Sequence, residues 1–256
     1  PDGTPVVEAR GVQANGAVRP PGGVADLLTA VEARSRGGGK DQDQIAVRVI
    51  THADGTTAYI VDIPGTEHTA PPARSIHPQT NDLGTNLRVL GGDVTTRQRA
   101  IAEALRLAGA GPTDPVMLVG HSQGGMVAAQ AAHDAGTPSF DFDVRSVLTA
   151  GSPIGRVDIP AEVQVLAIEN AYDVVPHLDS RPNDDASNVT TVTVRVQHGS
   201  IGENHGLRLG YLPAAQTVDQ SDDPSIAAFR AGADPFLVGP DEDAGVVVHV
   251  YEISRR

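Results

Sequence analysis

The 256-residue chain has no cysteine and no tryptophan, only four tyrosines and four phenylalanines, and 19 Lys and Arg against 32 Asp and Glu. The absence of cysteine excludes disulfides, thiolate catalysis and thiolate metal sites, though it does not fix the compartment. So few aromatics leave no stacking platform for nucleic acid, and a net charge of −13 repels phosphate backbones and anionic membrane surfaces. No stretch approaches the roughly 20 apolar residues of a membrane span, so a soluble chain is expected. No His-x-x-x-His or clustered carboxylate-histidine spacing stands out, and neither metal nor cofactor is expected. Asp41, Asp43, Asp184 and Asp185 read as solvated loop charges, and Arg255 and Arg256 as a solvated end. Oligomeric state is not written in the chain. It opens at Pro1 without a methionine, which is compatible with a removed signal peptide, anchor or upstream domain.

What is present is concentrated at residues 116 to 125, Val-Met-Leu-Val-Gly-His-Ser-Gln-Gly-Gly. An apolar strand pattern stops in a glycine-flanked serine and leads into a segment with Met126, Val127, Ala128, Ala131 and Ala132 at helical spacing. That is the pattern of a nucleophile elbow. A serine hydroxyl needs a base within reach and must stand clear of the backbone on a sharp strand-to-helix turn. Gly120 and Gly124, two residues either side of Ser122, supply the room where strand and helix approach most closely.

At this length one α/β catalytic domain is expected, its core built from Val, Ile, Leu and Ala. Residues 1–44 read as an arm, extended on the domain or linking to it, and a helix over Val24 to Arg36; residues 45–256 read as the catalytic domain. A polar, glycine-led breaker at 37–44 separates them. Ile45 to His52 and Thr57 to Ile63 flank Asp54-Gly55, a hairpin signal at the N-terminal side of the sheet. Residues 64–95 hold no convincing regular element, with Pro64, Pro71, Pro72 and Pro78 along a polar stretch, and 67–95 reads as a covering loop. A helix over Thr96 to Leu107 and strands at Val116 to Val119, Val144 to Thr149 and Val163 to Ile168 then alternate as in a mostly parallel sheet covered on both faces. Val189 to Val196 and Val246 to Ile253 read as later strands, with broken helix over 205–232.

In this architecture the acid and the histidine follow the serine in that order. Glu169 and Asp173 both follow the strand ending at Ile168, and Asp173 is preferred because it stands in the loop beyond, free to turn back to the sheet's carboxyl edge. Of the later histidines, His205 lies in a glycine-bounded polar loop before Leu207, Leu209, Tyr211 and Leu212, with His198 as the alternative; His249 reads as structural, and His177 is too close to Asp173 in the chain. The histidines at 52, 68, 77, 121 and 133 read as ordinary surface or core residues, with the His121 ring pointing away from Ser122. Oxyanion donors are expected from the Gln123 backbone N–H and from Gly65-Thr66 after the early central strand, where Thr66 could add its hydroxyl.

These patterns resemble the α/β-hydrolase superfamily, and within it the chain looks most like bacterial relatives of the class 3, fungal-type lipases. Pro64-Gly65-Thr66 resembles their oxyanion turn, Gly120 to Gly125 their elbow, Asp173-Val174-Val175-Pro176 their acid motif, and His205 with Tyr211 their late histidine before an aromatic. Asn86-Leu87-Arg88 and Gly151-Ser152-Pro153 are similar to hydrolase modules of actinobacterial proteins. The resemblance spans about residues 45 to 212. It departs at Pro64, where those lipases carry arginine, and in the polar 67–95 segment, where an interfacial lid would be apolar. The resemblance implies a serine ester hydrolase acting on a small-molecule or lipid ester, and the modest apolar content of the covering loops favours soluble or short-acyl esters. An acyltransferase or thioesterase would use the same residues, and a non-catalytic interaction module would share the fold.

Overall fold

In this computed structural model, which describes residues 2–14, 18–37, 43–67 and 78–256, the alternating strand and helix patterns assemble into one mixed sheet. Parts of the 37–44 breaker, Asp41, and the stretch holding His68, Pro71, Pro72 and His77 lie outside the described residues. The strands are β1 (Pro5–Gln13), β2 (Gln44–His52), β3 (Thr57–Ile63), β4 (Pro115–His121), β5 (Asp143–Ala150), β6 (Gln164–Asn170), β7 (Val189–Val194) and β8 (Ala244–Arg255). Their order across the sheet is β1-β8-β2-β3-β4-β5-β6-β7. The β1, β8, β2 and β3 pairings are antiparallel, and those from β3 through β7 are parallel. This is an α/β-hydrolase fold.

The central strands carry apolar residues on both faces because both are covered. On β4, Val116 and Leu118 join one core while Met117 and Val119 join the other. The first core is closed by α3 (Thr96–Leu107) and α4 (Gln123–His133), the second by α1 (Val24–Gly37), α6 (Leu212–Asp219) and α7 (Pro224–Gly232). Asp219 caps α1 from a distance, its carboxylate accepting from the Val24 and Ala25 amides at 2.7 and 2.9 Å. Helix α1 therefore docks as part of the layered core, and β1 is an edge strand on β8 with an irregularity between Ala9 and Gly11.

Four expectations are corrected. Residues 64–95 contain a helix, α2 (Leu83–Leu90), whose Asp82 N-cap accepts from the Thr85 amide at 2.9 Å. At eight residues it is too short to hold itself, and its buried face, Thr85 and Val89, packs near α4. Asp43 is fully buried rather than solvated, paired with Arg97 at 3.0 Å and accepting from Thr80 Oγ1 at 2.5 Å. Arg255 is no loose end: it pairs with Asp2 at 2.8 Å and with Asp82, which ties the last strand to the start of α2. The His121 ring does not stand apart from the site, as described below.

Candidate active site

The elbow is built by close approach. A Cβ on Gly120 would sit 2.3 Å from the Gly124 carbonyl carbon, and one on Gly124 would sit 2.1 Å from the Ile63 carbonyl oxygen. Only glycine lets β4, β3 and the start of α4 meet this tightly. Ser122, between them, is held at φ 54° and ψ −122°, a left-handed conformation that costs a non-glycine residue about 1–3 kcal/mol. Its amide donates to the Ala150 carbonyl at 2.9 Å and its carbonyl accepts from Gly125 and Met126, so the surrounding structure over-determines the strain.

The chain then brings two distant residues to that hydroxyl. His205 ends the five-residue helix α5 (Ile201–His205), beyond β7, and its Nε2 lies 2.9 Å from Ser122 Oγ. Its Nδ1 lies 2.7 Å from Asp173 Oδ2. A carboxylate only accepts, so Nδ1 carries the hydrogen and Nε2 is free to accept from the serine. Asp173 follows β6, and its Oδ1 also accepts from the Val175 amide at 3.0 Å, at a 3-10 turn over Val175–His177. Burial opposes ionisation of Asp173, but the hydrogen bonds from His205 and Tyr211 outweigh it and hold the carboxyl below its ordinary range. Such a serine-histidine-carboxylate chain can deliver a deprotonated oxygen to a carbonyl carbon and return the proton to a leaving group.

The alternatives lie elsewhere. Glu169 accepts from Asn183 Nδ2 at 2.8 Å, and burial raises its carboxyl. His198 places Nε2 3.2 Å from the Leu209 carbonyl. His177 lies in the 3-10 turn, and His249 stacks on Tyr251 within β8.

Where oxyanion donors are expected, Gly65 backs onto Ser122: a Cβ there would meet Ser122 Cβ at 3.0 Å. Thr66 follows, its Oγ1 within 3.1 Å of Asn86 Nδ2 and 3.3 Å of Asn86 Oδ1. Gln123 opens α4, where helix geometry leaves its N–H without an intrahelical acceptor. Its side chain is pinned: Nε2 donates to the Asp82 carbonyl at 2.6 Å, and Oε1 accepts from Arg97, whose other arm holds Asp43.

Several contributors carried no assigned role in the sequence patterns. The Tyr211 hydroxyl, at the end of a π-helical turn over Leu207–Tyr211, donates to Asp173 Oδ2 at 2.6 Å. Burial and that carboxylate both raise its phenol, so it stays protonated as a donor. His121 packs its ring against His205 and bonds the His205 carbonyl. Asn86 was visible only as part of a family-like tripeptide, and Arg97 as a helix residue. By contrast, the open cleft of about 840 Å³ lined by His52, Asp114, Arg145 and Asp234 lies at the amino ends of β4 and β5, away from Ser122. Among the described residues there is no His, Asp and Glu grouping able to hold a metal ion, and no helix long and apolar enough to cross a membrane.

No curated protein matches the chain. Among solved structures, it is similar to a lipase from Rhizopus microsporus var. chinensis, at 16% identity over 67% of this chain and 72% of that one, with a TM-score of 0.32. The Lip2 lipase of Yarrowia lipolytica aligns at 12% identity over 52% of each chain, TM-score 0.28. A gene product of Listeria innocua aligns at 13% identity over 87% of this chain and 93% of that one, TM-score 0.35. A family model described as the PGAP1-like alpha/beta domain matches residues 81–227. That span covers more than half of the chain and includes Asn86, Ser122, Asp173, His205 and Tyr211, and the chain belongs to the PGAP1-like alpha/beta-domain family.

Proposed function

We propose that the protein is a serine hydrolase of carboxylic esters that works through an acyl-enzyme on Ser122. The observation that carries this reading is the continuous relay from Ser122 Oγ through His205 to Asp173, at 2.9 and 2.7 Å, starting from a serine in the strained elbow conformation. As Ser122 Oγ attacks the ester carbonyl carbon, its proton passes to His205 Nε2. Asp173 holds the imidazole's orientation and stabilises the imidazolium. The tetrahedral intermediate collapses as the C–O bond to the alcohol breaks, with His205 returning the proton to the departing oxygen. Water, deprotonated by the same Nε2, then attacks the acyl carbon, and the second tetrahedral intermediate collapses as the bond to Ser122 Oγ breaks, His205 returning the proton to that oxygen as the carboxylic acid leaves.

The negative charge on the tetrahedral oxygen is met by the Gln123 N–H and by Thr66 through its amide and hydroxyl, each donor worth about 3 kcal/mol to the transition state. Exposed Tyr172 and Val174 beside Asp173, Ile201 and Leu209 either side of His205, and Leu87 on α2 suit an apolar acyl group.

The test is intact-mass labelling with a small fluorophosphonate, followed by hydrolysis of p-nitrophenyl esters from acetyl to long-chain acyl. Labelling at one site, lost in Ser122→Ala and slowed in His205→Ala and Asp173→Ala, with ester turnover lost in parallel, is expected. Folded protein that neither labels nor turns over any ester would sink the hydrolase reading and leave an interaction module of the same fold.

A further inference from the structure

His205 stands on weak foundations of its own. It is the last residue of a helix of only five residues, too short to be stable by itself, and the last carbonyls of a helix lack intrahelical donors. His121 is the opposite kind of residue. It ends β4, a strand paired on both sides and covered on both faces, immediately before the nucleophile. From that rigid base its Nε2 reaches to 2.8 Å from the His205 backbone carbonyl oxygen. The two imidazole rings pack with centroids 4.7 Å apart and planes tilted by 34°, and the His121 ring meets Tyr211 edge-on at 6.0 Å.

We infer that His121 is a positioning residue for the relay: by donating from Nε2–H to the His205 carbonyl and packing its ring on the His205 ring, it holds that imidazole on Asp173 and Ser122 together. The inference rests on the serine-hydrolase reading of this site. The carbonyl only accepts, so the hydrogen resides on His121 Nε2. Burial, reinforced by the neighbouring His205, pushes the His121 pKa down to about 3, so the ring stays neutral through the working range. A neutral neighbour adds no repulsion when His205 becomes the imidazolium. Among the described residues, the charged or titratable groups that face it are His205, Asp173 and the Tyr211 phenol.

His121→Phe keeps a ring but no donor, whereas His121→Gln keeps an N–H donor. Misplacing a catalytic group by a fraction of an ångström is costly, so His121→Phe is expected to slow fluorophosphonate labelling of Ser122 by about tenfold or more, with His121→Gln within about threefold of wild type. The labelling rate is read beside the low-field proton resonance of the His205–Asp173 hydrogen bond, which a merely structural role would leave in place. Its loss or broadening in His121→Phe, and its retention in His121→Gln, is expected. Wild-type labelling and an unchanged resonance in His121→Phe would overturn the inference.

If wild type itself fails to label, the hydrolase reading falls, and the low-field resonance alone decides whether His121 positions His205. Should His121→Phe not fold, ring nitrogen shifts in the wild-type protein decide. A neutral His121 protonated at Nε2 from pH 5 to 8 is expected, and a ring that titrates there or carries its hydrogen on Nδ1 overturns the inference.

Discussion

The Tyr211 hydroxyl and His205 Nδ1 donate to one and the same Asp173 oxygen, at 2.6 and 2.7 Å. Tyr211 sits beneath Gly151, whose φ of +63° and lack of a side chain admit the phenol oxygen where a Cβ would stand 2.8 Å away. A buried carboxylate with two such donors is a stability element as well as an orienting one.

Tyr211→Phe removes one donor without altering the ring's packing. A hydrogen bond to a charged group is worth about 1.5–3 kcal/mol, and a loss of that order is expected in urea unfolding at pH 7. The sign of its pH dependence follows from the lowered Asp173 pKa. Stability from a depressed carboxyl is complete above the ordinary carboxylate pKa and is lost as pH falls through the folded-state value. The gap between wild type and variant should therefore narrow from pH 7 toward pH 3; an equal gap at both would count against the contact.

Gly124→Ala should damage the elbow regardless of chemistry. The new methyl would lie 2.1 Å from the Ile63 carbonyl oxygen; that oxygen is backbone and the methyl is fixed directly to backbone, so neither can yield cheaply. A destabilisation of about 3 kcal/mol or more is expected in chemical denaturation. Gly11→Ala, with nothing within 4 Å of the added carbon, serves as the control and should change stability by about 0.5 kcal/mol at most.

Arg97→Met strands a buried carboxylate. Asp43 keeps Thr80 but loses its cation, and Gln123 Oε1 loses its donor. Breaking a buried pair from one side costs about 3–5 kcal/mol, whereas replacing both partners costs far less, so Arg97→Met with Asp43→Asn should recover part of the loss. Burial already raises the Asp43 carboxyl despite Arg97. Without the arginine it rises further, and the single variant should regain stability relative to wild type as pH falls and Asp43 protonates. Thermal unfolding from pH 8 to 5 measures this.

Thr66→Val keeps the side chain's shape and deletes its hydroxyl. If that hydroxyl meets the oxyanion, acylation by an activated ester should slow by about 10²-fold or more with KM little changed. Asn86→Ala leaves the hydroxyl but removes the side chain bonded to it at 3.1 Å, and should give an intermediate loss. Equal rates for wild type and Thr66→Val in pre-steady-state bursts would remove the hydroxyl from the mechanism and leave the backbone amides.

The motif at 116–125 was legible because its chemistry forces its residues: a serine on a strained turn needs glycines on both flanks, an apolar strand before it and a helix after it. The same holds for the parallel strands β4 to β6, whose continuous apolar runs have few other readings. Helix α2 was not legible. Its eight residues carry a capping Asp82 and a Gly91-Gly92 stop, but a segment so short is helical only because α4 and the Arg255–Asp82 pair give it a place to dock. Asp43 and Arg255 misled for a related reason. A charged residue reads as solvated until its partner is known, and Arg97 lies 54 residues from Asp43 while Asp82 lies 173 from Arg255.

The chain by itself determined its local chemistry: which serine can stand on a strained elbow, which strands must be buried on both faces, and that no thiol takes part. Only the tertiary structure decided the through-space partnerships. It set β8 between β1 and β2, so that the N-terminal hairpin is interior to the sheet. It also laid Tyr211 on Asp173, His121 on His205 and Asn86 on Thr66. The physical reason is that spacing along a chain encodes periodicity and turns, while a hydrogen bond between residues on separate elements exists only once the sheet and its covering helices have fixed where those elements end.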